Sequence, residues 1–104
     1  MKTITSHEIK KRKDEGEELN LVDVREPAEV AEFNIGGINL PIKKIQGMET
    51  EEIDDLKDKE VICYCRSGQR SMMACLVLEQ MGFTNVKNLE GGVLAWKENY
   101  DDEA

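Results

Sequence analysis

Cys65-Arg66-Ser67-Gly68-Gln69-Arg70 is the stretch of this sequence whose residue types and spacing could do chemistry. A thiol attacks as the thiolate, and an ordinary cysteine pKa of about 8.5 leaves little of it at neutral pH. Three features here favour the charged form. A short loop entering a helix can turn successive backbone N–H groups inward as an anion-binding nest, and the helix macrodipole presents its positive end at the same place. Gly68 lets the loop turn tightly. Arg66 and Arg70 add full positive charges. Cys65 is therefore the candidate nucleophile, and Arg66, Ser67, Gly68, Gln69 and Arg70 are the candidate substrate-binding residues. The plainer reading is a cysteine in an ordinary strand-to-helix turn, and the two arginines and the glycine weigh against it.

The remaining groups of this kind read as structural. Cys63 sits in an apolar run and Cys75 in an apolar helix, which suits small core residues. Period-2 alternation puts Cys63 on the strand face of Cys65, so a role as resolving thiol stays open. Three cysteines make an odd count, which does not read as a disulfide framework. Cys63 and Cys65 are too close for the Cys-x-x-Cys metal spacing and have no second ligand cluster, so neither a metal nor an organic cofactor is expected. His7 is the single histidine and reads as a surface residue, so the thiol must be activated without an imidazole.

The elements that must position Cys65 alternate between strand and helix. Met1 to Ile4 reads as a short edge strand. Thr5 with Glu8 is a capping-box pair opening a helix that ends near Gly16. Leu19 to Val24 reads as a strand, and Pro27 suits the first turn of a helix. Ile38 to Leu40 is a short strand closed by Pro41, and Thr50 to Leu56 a brief acidic helix. Val61 to Tyr64 is an apolar strand running straight into the Cys65 loop. Ser71 to Met81 is apolar on nearly every face, predicting a buried helix that stops at Gly82. Val86 to Leu89 is the last strand, and Gly91-Gly92 leads into a helix carrying Trp96. This order predicts an α/β domain with a parallel sheet covered on both faces, with right-handed crossovers. Ligands bind such sheets outside the carboxyl ends of the strands, which is where Cys65 falls.

The chain has 104 residues, which is one domain, 1–104, and not two. With 39% hydrophobic and 35% charged residues it belongs to the soluble globular class. No apolar run approaches the roughly 20 residues of a membrane span, and the first residues lack a secretory signal, so the expected location is cytoplasmic. The net charge of −8 argues against nucleic acid and anionic membranes as partners. The cationic run Lys10 to Lys13 is followed by Asp14, Glu15, Glu17 and Glu18, as on a solvated helix face. An acidic surface repels a small anion at long range, so an anionic substrate would need a local positive site. The Cys65 loop offers one.

Three motifs carry a family resemblance. Leu21-Val22-Asp23-Val24-Arg25-Glu26-Pro27 with Glu29 resembles the early motif of the rhodanese family. Cys65 to Ser71 is similar to its active-site loop, and Asn88-Leu89-Glu90-Gly91-Gly92 with Ala95-Trp96 to its closing motif. The motifs stand in family order and span nearly the whole chain. The resemblance implies a five-stranded parallel sheet flanked by helices and a cysteine persulfide intermediate. It implies a small anionic sulfur donor, such as thiosulfate, and a thiol or cyanide acceptor; a protein acceptor is compatible with it. The chain departs from the family at Phe33-Asn34-Ile35-Gly36-Gly37, where Asn34 stands at the usual histidine position. Asp23 and Arg25 read as a structural ion pair or hydrogen-bond anchor at a strand end, with an indirect role in bracing the loop left open.

Two other functions remain as alternatives. Related phosphatases and arsenate reductases hold a tetrahedral anion in a longer loop, with five residues between cysteine and arginine. Here four residues separate Cys65 from Arg70. A non-catalytic interaction module is the other alternative, and the retained Cys65 argues against it.

Overall fold

Continuous apolar runs need cover on both faces, and the computed structural model, which describes residues 1–100, supplies it. The last four residues of the expected 1–104 domain lie outside the described part. The strands are β1 (Lys2–Ile4), β2 (Leu21–Asp23), β3 (Ile38–Asn39), β4 (Glu60–Tyr64) and β5 (Asn85–Leu89). They form one sheet in the order β1-β5-β4-β2-β3 with every pairing parallel. The helices are α1 (Ser6–Asp14), α2 (Pro27–Glu32), α3 (Ile42–Gln46), α4 (Gln69–Gln80) and α5 (Gly92–Tyr100).

Strand alternation builds two cores. Val61, Cys63 and Cys65 point to one face and pack with Ile45, Ala74, Cys75 and Leu78. Ile62 and Tyr64 point to the other and pack with Ile9, Val93 and Trp96. Thus α3 and α4 cover one face and α1 and α5 the opposite one. Strand β4 is central, its five residues flanked by β5 and β2. Cys65 therefore follows directly on the central strand of the sheet. The Thr5–Glu8 capping box forms as its spacing predicts: Thr5 Oγ1 accepts from the Glu8 N–H, and Glu8 accepts from the Thr5 N–H.

The structure corrects two expectations and adds a helix that the sequence did not announce. Helix α4 begins at Gln69 and is not buried all round: Met72, Met73 and Leu76 are 41%, 51% and 44% exposed. Only its inner side, with Ala74, Cys75 and Leu78, meets the sheet, and so small a domain has no further layer to cover the outside. The brief acidic helix expected at 50–56 is present as a 3₁₀ helix over Glu51–Leu56. Helix α3 was not legible in the sequence, since five residues are too few to show a 3.6-residue period. Among the described residues no helix is long and apolar enough to cross a membrane.

Candidate active site

The loop after β4 is shaped by the demands of a helix start. The first N–H groups of any helix lack partners within it. Gly68, the N-cap of α4, has φ of 103° and offers no side-chain acceptor. The sulfur of Cys65 takes that place. Its Sγ accepts from the Gly68 N–H at 3.1 Å and from the Ser71 N–H and hydroxyl, each at 3.4 Å. An anionic sulfur at this point meets the positive end of the macrodipole as well as the N–H groups themselves.

A second ring of contacts holds the loop. Asn88, buried in β5, donates from Nδ2 to the Gly68 carbonyl at 3.1 Å and accepts from the Ser71 hydroxyl. The Val93 N–H donates to the Cys65 carbonyl at 2.9 Å and the Leu94 N–H to the Arg66 carbonyl at 3.0 Å. Gly92 allows this approach: its φ is 55°, and a Cβ there would lie 2.3 Å from the Cys65 carbonyl oxygen. The closing Gly91-Gly92 turn thus acts as a clamp on the loop. Ser71, Asn88 and Gly92 have roles here that their motifs alone do not assign. Position N3 of the helix was the available signal for Ser71; nothing local pointed to Asn88.

The two arginines separate. Arg66 is exposed at the loop's outer side and makes no ion pair among the described residues. Arg70 donates through both terminal nitrogens to Glu29, at 2.7 and 2.8 Å. Asp23 is taken by Arg25, whose Nε and NH2 groups reach it at 2.9 and 2.7 Å in a buried pair. That Asp23–Arg25 pair is the structural one expected at the strand end. Arg25 also donates to the Phe33 carbonyl at 2.7 Å, fixing the segment that departs from the family pattern. There Asn34 supports its own turn, accepting from the Gly36 N–H at 2.9 Å. Ser67 and Gln69 are exposed, and Gly68 is buried.

Burial alone would push the Cys65 thiol up. The hydrogen bonds of the Ser71 hydroxyl and of the Ser71, Gly68 and Ser67 N–H groups outweigh it and hold the thiol below its ordinary value. The leading contributions are these neutral donors rather than the arginine charges given weight from sequence. Cys63 goes the other way: its hydrogen bond with Cys75 and its burial push it well above the ordinary value. Cys65 is the low-pKa thiol beside Cys63, although only about 1% of the residue's surface is exposed.

Cavities open to solvent lie both beside this loop and away from it. One of about 380 Å³ lies at the start of β2, between Lys13, Leu21 and Gly37. A smaller one of about 110 Å³ borders the loop between Arg66, Phe33 and Lys97.

A strand-end cysteine, a four-residue gap to arginine and a glycine clamp invite comparison with known proteins. Residues 5–99 match the family model described as a rhodanese-like domain. The chain belongs to the rhodanese family. It is 43% identical to a sulfurtransferase of Allochromatium vinosum over 89% of this chain and 85% of that protein. It is also 43% identical to the YtwF protein of Bacillus subtilis over 93% and 91%. Among solved structures it is similar to a rhodanese-related protein of Thermoplasma volcanium, with a TM-score of 0.81 and 30% identity, over 96% of this chain and 94% of that one. These relatives place the rhodanese domain among the sulfurtransferases.

Proposed function

We propose that this protein is a sulfurtransferase that carries sulfane sulfur on Cys65 as a persulfide, with thiosulfate as a competent donor. In the first half-reaction the Cys65 thiolate attacks the outer sulfur of thiosulfate. The sulfur–sulfur bond of the donor breaks, its electron pair leaves with sulfite, and Cys65–S–S⁻ remains. In the second, a cyanide or thiol acceptor attacks the outer sulfur and Cys65 leaves as thiolate. The scheme is ping-pong nucleophilic catalysis without a metal or organic cofactor. Arg66 meets the sulfonate end of the donor, and the loop N–H groups, with Ser67, Gly68 and Gln69 forming the rim, stabilise the sulfur anion much as an oxyanion hole would. A reducing cytoplasm suits a reactive thiol.

The observation that carries this reading is the ring of donors already aimed at Sγ: the Gly68 and Ser71 N–H groups and the Ser71 hydroxyl. The near-complete burial of Cys65 adds to it, since a slender terminal sulfur reaches a covered thiolate more easily than a bulky group does. The test is thiosulfate:cyanide turnover in cysteine variants. Cys65→Ser should have none, whereas Cys63→Ser and Cys75→Ala should keep most of it. Turnover by Cys65→Ser at the wild-type rate would refute the assignment.

A further inference from the structure

We propose that the small cavity beside the loop is a subsite for the carboxylate of a short-chain thiol acceptor, with Lys97 as its specificity-determining residue. The inference rests on the sulfur-transfer reading and names the class of acceptor for the same site. The cavity adjoins the nucleophile through covalent and hydrogen-bonded neighbours. Arg66, which follows Cys65, forms one side. Val93 and Leu94, whose N–H groups hold the Cys65 and Arg66 carbonyls, form the wall of α5. The cavity thus borders the loop that carries the persulfide.

The charges around the cavity decide what it takes. Arg25 is committed to buried Asp23, and Glu29 to Arg70. Those two pairs cancel. What faces the space beyond them is Arg66, Lys97 and the single carboxylate of Glu32, a net positive balance on a protein whose overall charge is −8. Among the described residues neither Arg66 nor Lys97 is in an ion pair. The Lys97 ammonium stands 4.6 Å from the centre of the Phe33 ring. That contact between a cation and an aromatic face steadies a side chain that would otherwise be loose on an exposed helix. The rest of the wall is apolar, from Phe33, Val93 and Leu94. At about 110 Å³ the space is well below the roughly 300 Å³ or more of a drug-sized pocket. A few methylene groups ending in one anion suit it, and a large ligand does not.

In the acceptor step the thiolate R–S⁻ attacks the outer sulfur of Cys65–S–S⁻. The persulfide bond breaks, R–S–S⁻ forms, and the electron pair returns to Cys65 as thiolate. A carboxylate on R held between Arg66 and Lys97 would steer that sulfur to the loop.

The test separates loading from discharge. Cys65 is loaded with thiosulfate, excess donor is removed, and one added sulfur is verified by intact mass. The loaded protein is then mixed with 3-mercaptopropionate, uncharged 2-mercaptoethanol or cationic cysteamine at one pH and ionic strength. Each protein is read by the ratio of its discharge rates, so differences in thiol reactivity and in overall activity cancel between variants. Lys97→Ala should lower the mercaptopropionate-to-mercaptoethanol ratio about three- to tenfold relative to wild type. Lys97→Glu should lower it further and raise the cysteamine ratio, and Lys97→Arg should preserve the wild-type ratios. Added salt should shrink the wild-type preference, because charges at a solvent-open rim are screened. Loading followed by ratios that stay within twofold of wild type in both Lys97→Ala and Lys97→Glu would overturn the subsite alone. Failure of wild type to load would overturn the sulfur-transfer reading and the subsite together.

Discussion

At the scale of single residues, the sulfur of Cys65 is held as a capping group is held, by N–H groups a helix start must satisfy somehow. Ser71 contributes twice, through its N–H and its hydroxyl, and the hydroxyl has one proton for two acceptors, Cys65 Sγ and Asn88 Oδ1. Ser71→Ala removes the side-chain donor and leaves the backbone ring. Since the donors lower the thiol's pKa, their loss raises it, and the midpoint of Cys65 alkylation against pH should move to higher pH. A hydrogen bond is worth about 1 kcal/mol, so alkylation near neutral pH should slow about fivefold. An unshifted pH profile in Ser71→Ala would show that the hydroxyl does not act on the sulfur. Cys65 and Gly68 were legible in the sequence because loop chemistry is local. Asn88 was not, because it reaches Gly68 and Ser71 from 17 or more positions away along the chain.

At the scale of elements, the fork between Arg70 and Glu29 pins the first turn of α4 to α2, while Arg66 ties nothing down. The two arginines should therefore fail differently. Arg70→Ala loses a half-exposed bidentate pair worth about 1 kcal/mol or less. In a domain of this size that lowers Tm by up to about 4–8 °C. It should also lower turnover with charged and neutral sulfur donors alike. Arg66→Ala should shift Tm by no more than about 2–4 °C, the span of an exposed substitution worth about 0.5 kcal/mol or less. It should instead reduce kcat/KM for thiosulfate about ten- to a hundredfold, a charge-assisted contact of roughly 1.5–3 kcal/mol. Thermal melts beside kinetics with thiosulfate and a neutral persulfide donor check both. An unchanged Arg70→Ala melt, or equal losses with both donors in Arg66→Ala, contradicts this division. Pro27, the Thr5–Glu8 pair and the strand pattern announced most elements, since each is written in consecutive residues. The Arg70–Glu29 pairing was not legible, because which carboxylate meets Arg70 depends on how α2 packs. Exposure of Met72, Met73 and Leu76 was likewise invisible, because composition records what a helix could bury and not how many layers exist to bury it.

At the scale of the whole molecule, an acidic protein is held together partly by carboxylates whose cations are well placed. Glu60, at the start of β4, accepts from Arg12 of α1 at 2.6 Å and from Lys87 of β5 at 2.6 Å. The Arg12 hydrogen bond leads in holding its carboxyl at about 2, against an ordinary 4.5; burial opposes it, and Lys87 adds to it. Glu29 is held at about 2 as well, chiefly by Arg70. A carboxylate depressed by folding stabilises the fold above its ordinary pKa, and that contribution is lost as pH falls through the folded value. Stability should therefore decline from about pH 4.5 toward pH 2. Glu60→Gln should cost about 1 kcal/mol near neutrality and flatten that acid decline. Denaturant melts between pH 2 and 7 would show it, and a Glu60→Gln curve parallel to wild type would rule out this carboxylate as a source. The parallel sheet covered on both faces was legible at this scale from the alternation of strands with helices; the three-way contact at Glu60 was not, because it joins α1, β4 and β5.

Intact mass spectrometry after thiosulfate treatment tests the persulfide on Cys65 most directly. Wild type, Cys63→Ser and Cys75→Ala should each gain one sulfur, which cyanide then removes, and Cys65→Ser should gain none. A Cys65→Ser protein that takes up the sulfur, or a wild type that takes up none, would contradict the central claim.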